Sequence, residues 1–392
     1  MIDFDFISPT KIYFGKDKEI QVGNIIANYG FKKVLLHYGK SSIKKIKLYD
    51  RVIASLKKEN IEFVELGGVE ANPDVSLVKE GIKIARENQV DFILAVGGGS
   101  VIDSAKLIAC GYYYDKDPFD FSLHKLLPEK TLPLGVILTN SASGSELSTS
   151  CVISSREMKI KKGFNTDLNR PLFVIENPEI TYSLGLHLTG EGIVDIISHT
   201  FERYFCHSNQ YEFSDYIAEG LMKCVIDNAL VLADDLHSYQ ARANIMLASS
   251  FSHNGLTGLG KDNKMPIHQL EHELSALKPN ISHGEGLAIL IPSWMKVCKE
   301  LDKEKFIKFS ENVMGICDDI NDDLKIDKAI NKLESLFRKF GLSSSLKTFN
   351  LQEEDLITMA NSLTQNKTRV FQSYIPLDYD LAMKIYQKSM EE

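Results

Sequence analysis

The chain has 392 residues, of which 44% are hydrophobic and 25% are charged, and its formal net charge at pH 7 is -8. These values are typical of globular proteins and exclude a disordered chain, a collagen-like chain and a disulfide scaffold. The mildly acidic balance also argues against nucleic acid as a partner, because a nucleic-acid-binding surface is basic. We therefore expect a protein that acts on a small molecule or binds another protein.

The cysteines and the apolar runs indicate the compartment. The six cysteines form no C-x-x-C pair, so they are interpreted as buried thiols in a reducing environment. The N-terminal segment lacks the apolar core of a signal peptide, and no apolar run reaches the ~18 residues that a membrane helix requires. The expectation is a soluble cytoplasmic protein with no membrane partner.

The first half of the sequence alternates short apolar runs with segments of helical spacing. An amphipathic helix is predicted at Val75–Gln89. The apolar runs predict strands at Val34–Tyr38, Phe63–Leu66, Phe92–Val96, Leu134–Leu138 and Leu172–Ile175. The alternation of strands and helices, and the continuous hydrophobicity of the strands, predict a parallel, doubly wound sheet that is covered on both faces.

The second half, from Thr189 onward, shows long patterns of helical period and no convincing strand. The pattern changes within Ser183–Gly190. Two domains are therefore predicted, an α/β domain over residues 1–187 and an all-helical domain over residues 188–392. Helices are predicted at Glu191–Phe205, Ser214–Ala233, Tyr239–Asn254, Met265–Leu277, Leu287–Leu301, Lys303–Cys317, Ile326–Phe340, Gln352–Leu363 and Asp378–Glu391.

A glycine-rich turn follows the third predicted strand. Gly97-Gly98-Gly99-Ser100 stands between that strand and a predicted helix. Glycine lets the backbone approach a ligand closely, and the free N–H groups of a helix start favour a phosphate. The Rossmann pattern G-x-G-x-x-G is absent, so a turn that only reverses the chain is the alternative. The setting favours pyrophosphate binding, with candidate residues Gly98, Gly99, Ser100 and Asp103.

Two more polar turns follow apolar strands. Gly39-Lys40-Ser41-Ser42 comes after Val34–Tyr38 and contains none of the acidic residues that hold ribose hydroxyls and exclude a 2′-phosphate. Gly39, Ser41 and Ser42 are therefore cofactor candidates that favour NADP(H) over NAD(H), although an ordinary strand–helix turn has the same composition. Thr139–Glu146 offers hydroxyls to a cofactor pocket, or simply caps a serine-rich loop.

Four histidines and an aspartate are of the type that binds metal. Asp195 and His199 are four residues apart on a predicted apolar helix, where an unpaired carboxylate and imidazole are costly to bury. A buried Asp–His hydrogen bond is the alternative there. His268 and His272 are also four apart, and His283 follows. One carboxylate with two or three imidazoles suits Zn²⁺ or Fe²⁺.

The segment His268–His272 also matches H-x-x-E-H, a zinc peptidase signature in which Glu271 is the base. Patterns of five residues recur by chance, and a peptidase leaves the glycine turn and the Asp195 pair unexplained. A non-enzymatic nucleotide-binding module leaves all the metal-type residues without a purpose. Both stay as alternatives to a nucleotide-dependent enzyme.

Taken together, the motifs resemble the iron-containing (group III) alcohol dehydrogenases, especially their butanol dehydrogenase and aldehyde reductase branch. The resemblance covers nearly the full length, from Pro9–Gly15 through the glycine turn, Gly144-Ser145-Glu146 and Asp195–His199 to the segment from His268 to Gly286. It implies a Rossmann-like parallel-sheet domain that binds the dinucleotide, followed by an all-α metal-binding domain, as in dehydroquinate synthase. It also implies a homodimer.

The resemblance implies roles for the metal-type residues. His272 matches a histidine beside the nicotinamide that does not bind the metal, and it is the candidate proton relay or orienting residue. The implied ligands of Fe²⁺ or Zn²⁺ are Asp195, His199, His268 and His283. The implied reaction interconverts a primary alcohol and an aldehyde, or a small ketone, with hydride transfer to or from NAD(P).

The resemblance also implies cofactor contacts. Gly98, Gly99 and Ser100 match the pyrophosphate turn of the family. Thr139, Ser143 and Ser145 match positions that line the cofactor, and Lys161 matches a lysine near the ribose. A metal- and NAD-using cyclase or lyase of the dehydroquinate synthase type shares these features and is the main alternative function.

The chain departs from the family at a few positions. Ser141-Ala142-Ser143 stands where Pro-Ala-Thr is usual, and Gly185 stands where proline is usual. The segment Gly260–Pro266 is altered, and Gly39–Ser42 replaces the Gly-Gly-Gly-Ser turn of the NADP-using branch. These differences concern the substrate pocket, the entry of one helix and the adenosine end of the cofactor, and they leave the metal ligands unchanged.

Overall fold

The computed structural model describes residues 2–206 and 212–391. The chain divides into two compact units, Ile7–Leu184 and Gly185–Glu392, and the segment Met1–Phe6 belongs to the second of them. The backbone N–H of Ile2 donates to the carbonyl of Gly260 at 3.2 Å. This long-range contact cannot be predicted from the local sequence pattern. The predicted division after residue 187 lies slightly later, inside the first turn of a helix.

The first unit is built on eight strands. Six of them form a parallel sheet in the order β1-β8-β5-β4-β2-β3, and β6 and β7 form a separate antiparallel pair. All five predicted strands are present, and the predicted doubly wound class is confirmed. The strands are β1 (Lys11–Phe14), β2 (Lys33–Tyr38), β3 (Glu62–Leu66), β4 (Phe92–Gly97), β5 (Leu134–Leu138), β6 (Ser150–Ser155), β7 (Ile160–Asn165) and β8 (Phe173–Glu176).

Three of these strands were not predicted, and each has a local reason. β1 has only four residues and lies at the edge of the sheet, where none of its residues is fully buried. β6 and β7 form a hairpin that is half polar, so they lack the continuous apolar run of the central strands. A fully buried strand is the kind that hydrophobicity alone reveals.

The helices of the first unit cover the sheet. Asp74 caps the fourth of them, since its side chain accepts from the backbone N–H of Ser76 at 2.9 Å. Gly81 lets this helix pack closely on the next, because a Cβ there would lie 2.4 Å from Cδ1 of Ile108. The helices are α1 (Val22–Asn28), α2 (Ser42–Lys45), α3 (Leu48–Lys58), α4 (Val75–Glu87), α5 (Gly99–Gly111) and α6 (Phe119–Ser122).

The sheet has a topological switch point between β2 and β4. The chain passes from β2 to β3 on one side, whereas β4 leads to β5 on the other side. The register pairs Tyr38 with Val96, so the turns after β2 and β4 stand side by side. Thr139 follows β5 and donates its backbone N–H to the carbonyl of Gly97 at 3.1 Å. All three polar turns therefore meet at the edge where open α/β sheets bind ligands.

The described residues of the second unit form helices and connecting loops but no strand, with one isolated bridge between Phe371 and Leu377. Each predicted helix is present, and four of them begin earlier than predicted, at Leu186, Glu212, His283 and Asp322. The helices are α7 (Leu186–Tyr204), α8 (Glu212–Asp234), α9 (Tyr239–Ser252), α10 (Pro266–Leu277), α11 (His283–Cys298), α12 (Lys303–Lys308), α13 (Asp322–Lys339), α14 (Glu353–Leu363) and α15 (Tyr379–Lys388).

One helix differs in form from the prediction. The pattern predicts a single helix over Lys303–Cys317, but α12 ends at Lys308 and continues as a π-helical turn over Phe309–Val313. The apolar side chains of both pieces still pack in the core of the unit, because Phe306, Phe309 and Val313 are buried. The periodicity of the sequence is therefore satisfied without a regular α-helix.

None of the helices in residues 2–206 and 212–391 is long and apolar enough to cross a membrane. All six cysteines are free thiols. Four of them are buried as expected, but Cys224 is partly exposed and Cys317 is exposed, since it follows the π-helical turn on the surface. The expectation of uniformly buried thiols is therefore wrong for these two.

Candidate metal centre and nucleotide-binding turns

Three helices of the second unit bring one carboxylate and three imidazoles together. Asp195 and His199 lie one turn apart on α7, His268 lies in the first turn of α10, and His283 is the first residue of α11. From Oδ1 of Asp195 the distances are 3.4 Å to Nδ1 of His199, 3.6 Å to Nε2 of His268 and 3.7 Å to Nε2 of His283. The residues that the sequence singled out therefore meet at one point.

Three of these atoms are buried without a hydrogen-bond partner, namely Oδ1 of Asp195, Nδ1 of His199 and Nε2 of His268. They lie within 4.8 Å of one another. Buried polar atoms are normally paired, so three orphaned acceptors at one point need a cation that accepts their lone pairs. The donor set fits Zn²⁺ or Fe²⁺. A simple Asp–His hydrogen bond does not explain the third atom.

Glu202 fixes the orientation of His268 by contacting the ring nitrogen that faces away from Asp195. Its Oε2 contacts Nδ1 of His268, and its Oε1 accepts from the backbone N–H groups of Ile267 at 2.6 Å and of His268 at 3.3 Å. A carboxylate on one ring nitrogen directs the other nitrogen to a metal and raises its basicity. The ring of His268 therefore presents Nε2 toward Asp195. Glu202 lies seven residues after Asp195 on α7, which is the signal that could have revealed it.

Glu271 fixes His283 in the same way. Its Oε2 contacts Nδ1 of His283, and its Oε1 is bound by the hydroxyl of Ser275. Glu271 is fully buried. Both oxygens are therefore engaged, one by His283 and the other by Ser275. This arrangement differs from the H-x-x-E-H peptidase site, in which the glutamate must be available as a base.

The charges around the centre favour a cation. Burial alone would lower the pKa of His268, but the carboxylates of Glu202 and Asp195 outweigh it and raise the pKa to about 9. Burial, together with the positive charges of His253 and His268, holds the pKa of His199 well below its usual value. Protons and a metal compete for such a site, as expected where ligands must be deprotonated to bind.

His253 belongs to this region although no motif indicated it. Its ring centroid lies 4.1 Å from that of His199, and its Nδ1 is 3.1 Å from Nη2 of Arg203. Arg203 also donates to the backbone carbonyls of His199 and Ser252. Arg203 and His253 thus brace the helix turn that carries His199. His253 follows the end of α9. Its proximity to His199 depends on tertiary packing, which the sequence alone does not show.

His272 stands beside the cluster and outside it. Its ring centroid is 5.9 Å from that of His283 and 6.4 Å from that of His268, and it is partly exposed. Neither ring nitrogen of His272 is among the buried atoms near Asp195 that lack a hydrogen-bond partner. His272 is therefore a neighbour of His268 and His283 whose role stays a prediction.

A second group of metal-type residues is internally satisfied. Nε2 of His187 lies 2.7 Å from Oε2 of Glu285, and its Nδ1 lies 3.4 Å from Oε1 of Glu191. Glu285 accepts from the backbone N–H of Ser343 at 2.6 Å, and Glu191 is bound by Ser282. The carboxylates already have partners, so this group links the starts of α7 and α11 without requiring an ion.

In the first unit, the glycine turn has the predicted strand–turn–helix form. Gly98 is extended, with φ -90° and ψ -168°, and α5 begins at Gly99 with no side-chain cap on its N–H groups. Those donors suit a phosphate. A Cβ at Gly99 would lie 2.3 Å from Oγ of Ser143, and one at Gly98 would lie 3.1 Å from Cβ of Asn140. Gly98 and Gly99 therefore leave room for the third polar turn, Thr139–Glu146, which lies against them.

Asp103 and Ser145 bind each other. The hydroxyl of Ser145 donates to Oδ1 of Asp103 at 2.6 Å, and the backbone N–H of Val152 donates to Oδ2 at 3.0 Å. The ammonium of Lys106 is fully buried and donates to the carbonyls of Ser145 and Ser150, each at 2.7 Å. These bonds anchor the third turn to α5. Lys106 was not singled out from the sequence because a lysine inside an amphipathic helix is usually solvated.

The remaining cofactor candidates lie on the same side of the sheet or on the hairpin. Oγ of Ser143 accepts from the backbone N–H of Ser145 at 3.3 Å, and Thr139 follows β5 directly. Lys161 lies on β7, near enough to Asp103 to lower the pKa of that carboxyl against the larger effect of burial. Gly39 follows β2, and Ser41 and Ser42 after it are exposed.

Comparisons with known proteins agree with both halves of the chain. The sequence-family model of the iron-containing alcohol dehydrogenases matches residues 9–178. The sequence-family model of the C-terminal part of the Fe-containing alcohol dehydrogenase family matches residues 189–390. The chain is 42% identical over 391 residues to NADH-dependent butanol dehydrogenase A of Clostridium acetobutylicum, covering 99% of this chain and 100% of that protein.

Two further relatives are similar over the whole chain. NADPH-dependent aldehyde reductase YqhD of Escherichia coli is 30% identical over 394 residues, covering 99% of each protein. The crystal structure of NADH-dependent butanol dehydrogenase A from Thermotoga maritima superposes with a TM-score of 0.94 at 35% identity, covering 100% of this chain and 99% of that one.

Proposed function

The chain belongs to the iron-containing alcohol dehydrogenase family, and from this premise we propose that it interconverts a primary alcohol and an aldehyde by hydride transfer to or from NAD(P). The observation that carries the proposal is the convergence of one carboxylate and three imidazoles, with three buried atoms that lack any other partner. The three polar turns at the switch point of the parallel sheet supply the dinucleotide site.

Asp195, His199, His268 and His283 would hold the metal, which is Fe²⁺ or Zn²⁺. When bound, such an ion acts as a Lewis acid on the oxygen of the alcohol or aldehyde. The protein's own contribution is preorganisation, because Glu202 holds the ring of His268 and restricts its rotation. The ligands are therefore oriented before a metal arrives.

The dinucleotide is held by backbone and hydroxyl groups. The uncapped N–H groups at the start of α5, over Gly99 and Ser100, bind the pyrophosphate. Thr139, Ser143 and Lys161 supply the further polar contacts. Gly39–Ser42 lies toward the adenosine end, where the sequence pattern predicts NADP(H). That prediction considers a single turn, and the neighbouring segment after β3 adds an acidic residue, Glu70.

His272 exchanges the proton that accompanies hydride transfer, or it orients the nicotinamide. It lies one turn after His268 on α10, and it is partly exposed, so its imidazole is accessible to water or ligand. A neutral imidazole can accept a proton and return it near neutral pH. The predicted homodimer and cytoplasmic location remain predictions.

The test is a panel of straight-chain aldehydes and alcohols assayed with NADH and NADPH, with metal analysis of the same sample. We expect aldehyde-dependent oxidation of the reduced nucleotide, lost on chelation and restored by Fe²⁺ or Zn²⁺. Metal-dependent conversion of a polyanionic sugar phosphate without net consumption of nucleotide would instead indicate the cyclase or lyase. Peptide cleavage that needs metal and ignores nucleotide would indicate the peptidase.

A further inference from the structure

Glu70 joins two cations at the edge of the nucleotide-binding turns. Its Oε1 lies 2.7 Å from Nζ of Lys40, and its Oε2 lies 2.6 Å from Nη2 of Arg156. Lys40 is in the turn after β2, Glu70 is in the segment after β3, and Arg156 is at the tip of the β6–β7 hairpin. Three separate segments of the first unit therefore meet through one carboxylate, and each carboxylate oxygen serves one cation.

The Lys40–Glu70–Arg156 triad lies at the switch point. The backbone N–H of Gly68 donates to the carbonyl of Gly39 at 2.8 Å, so the segment after β3 runs along the turn after β2. A Cβ at Gly39 would lie 3.6 Å from the carbonyl oxygen of Val69 and 3.9 Å from Cγ2 of Val101 in the first turn of α5. The turn that carries Lys40 and the segment that carries Glu70 therefore run beside the helix start that suits a pyrophosphate, at the switch point where such sheets bind a dinucleotide.

The hairpin tip is held in place by its own contacts with the chain after Glu70. The backbone N–H of Arg156 donates to Oδ2 of Asp74 at 2.9 Å. The backbone N–H of Ser154 donates to the carbonyl of Pro73 at 2.9 Å. The backbone at Arg156 is therefore tied to the segment after β3, which keeps the exposed side chains of Arg156 and Glu70 within reach of each other.

The charge of the triad distinguishes a hydroxyl from a phosphate. Hydrogen bonds from Lys40 and then Arg156 lower the pKa of Glu70 to about 2, so the carboxylate is ionised at every physiological pH. An ionised carboxylate accepts a hydrogen bond from a ribose hydroxyl and repels a doubly charged 2′-phosphate. Lys40 and Arg156 would attract the phosphate, but Glu70 occupies both.

We propose that Glu70 is a specificity-determining residue that selects NAD(H) over NADP(H), by occupying Lys40 and Arg156 and by accepting a hydrogen bond from the adenosine ribose. The inference rests on the proposed function, since it requires a dinucleotide at the switch point. It places the selecting acid after β3, whereas the turn Gly39–Ser42 after β2 has none.

The experiment measures binding of NAD⁺ and NADP⁺ to the full chain by calorimetry, without turnover, in wild type and in Glu70→Gln. The variant keeps the shape of the side chain and removes its negative charge, so that neither Lys40 nor Arg156 keeps an ion pair with it. We expect the ratio of the two dissociation constants to shift toward NADP⁺ by about tenfold, the size expected from one or two exposed charge interactions. Adding Arg156→Met to Glu70→Gln should remove most of the gain.

Glu65→Gln is the matched control. Glu65 is an exposed acid of β3 that accepts from the hydroxyls of Tyr38 and Tyr49, each at 2.8 Å, so its removal changes the net charge equally without freeing a cation. We expect this variant to keep the wild-type ratio. An unchanged ratio in Glu70→Gln, or tighter binding of NADP⁺ than NAD⁺ by wild type, overturns the inference while the proposed function stands. Binding of neither nucleotide by wild type overturns both.

Discussion

Glu202 contacts Nδ1 of His268 while Nε2 of the same ring faces Asp195 at 3.6 Å, so the imidazole is held between two carboxylates. Only one of these carboxylates is placed to bind a metal. Glu202→Gln should therefore weaken metal binding without removing a ligand, by about 10- to 100-fold, which is typical for such a supporting carboxylate. The measurement is a competition titration against a chelator.

A suitable control for Glu202 is Glu219→Gln. Glu219 is another buried carboxylate of the helical unit, but it accepts from the hydroxyl of Tyr204 at 2.8 Å and has no contact with the four proposed ligands. This variant should lose stability and keep the metal affinity of the wild type. Equal metal affinities in Glu202→Gln and wild type would contradict the supporting role.

His268 and His272 are one turn apart on α10 but should respond differently to substitution. His268→Ala removes an orphaned atom of the cluster, so metal content and turnover should fall together. His272→Ala should keep its metal and lose turnover, by about 100-fold if the imidazole moves a proton. Metal analysis and steady-state kinetics on the same samples of both variants test these two expectations. Loss of metal from His272→Ala would show that the ligand set is misassigned.

Glu271 separates the dehydrogenase from the peptidase. Because both of its oxygens are engaged, by His283 and by Ser275, Glu271→Gln should lower metal affinity through the misoriented His283 ring. A peptidase base would behave differently, since its loss abolishes catalysis and leaves the metal bound. The chelator titration on Glu271→Gln therefore distinguishes the two readings of the H-x-x-E-H segment.

Features that depend on residues close in sequence could be predicted, whereas contacts between distant segments of the chain could not. The pair Asp195 and His199 shares one helix face, and the helical period alone indicates it. The central strands were found because they are apolar throughout. His253 and Glu70 carry no such signal, because each acts on a partner from a distant segment. The hairpin strand Ser150–Ser155 alternates buried and partly exposed residues, too weakly to be separated from a serine-rich loop.

Lys106 should be essential to the stability of the first unit. Its buried ammonium donates to the backbone carbonyls of Ser145, Ser148 and Ser150. Lys106→Met leaves three acceptors unsatisfied, which should cost about 3 kcal/mol of the free energy of unfolding. Urea denaturation measures the loss, with the exposed Lys162→Met on β7 as the control. Nucleotide affinity should fall too, because these bonds anchor the third turn.

His37 should make the stability of the protein depend on pH. The ring is fully buried on β2, with Nδ1 2.8 Å from the carbonyl of Leu66 and Nε2 2.9 Å from Oγ of Ser104. Burial lowers its pKa to about 4, against the smaller effect of the Leu66 carbonyl. In the unfolded chain the pKa is 6.5, so between pH 6.5 and 4 the unfolded state binds a proton that the native state rejects.

Stability contributed by a neutral His37 is therefore complete above pH 6.5 and is lost as the pH falls toward 4, by up to about 3 kcal/mol. His37→Gln keeps a donor for the Leu66 carbonyl and cannot titrate, so its unfolding free energy should vary less with pH than that of wild type. The difference between the two urea-denaturation curves from pH 7 to 4.5 is the measurement, and the exposed His124→Asn should follow wild type. Parallel curves for wild type and His37→Gln would mean that His37 binds protons equally in the native and the unfolded state, which would contradict the lowered pKa of the buried ring.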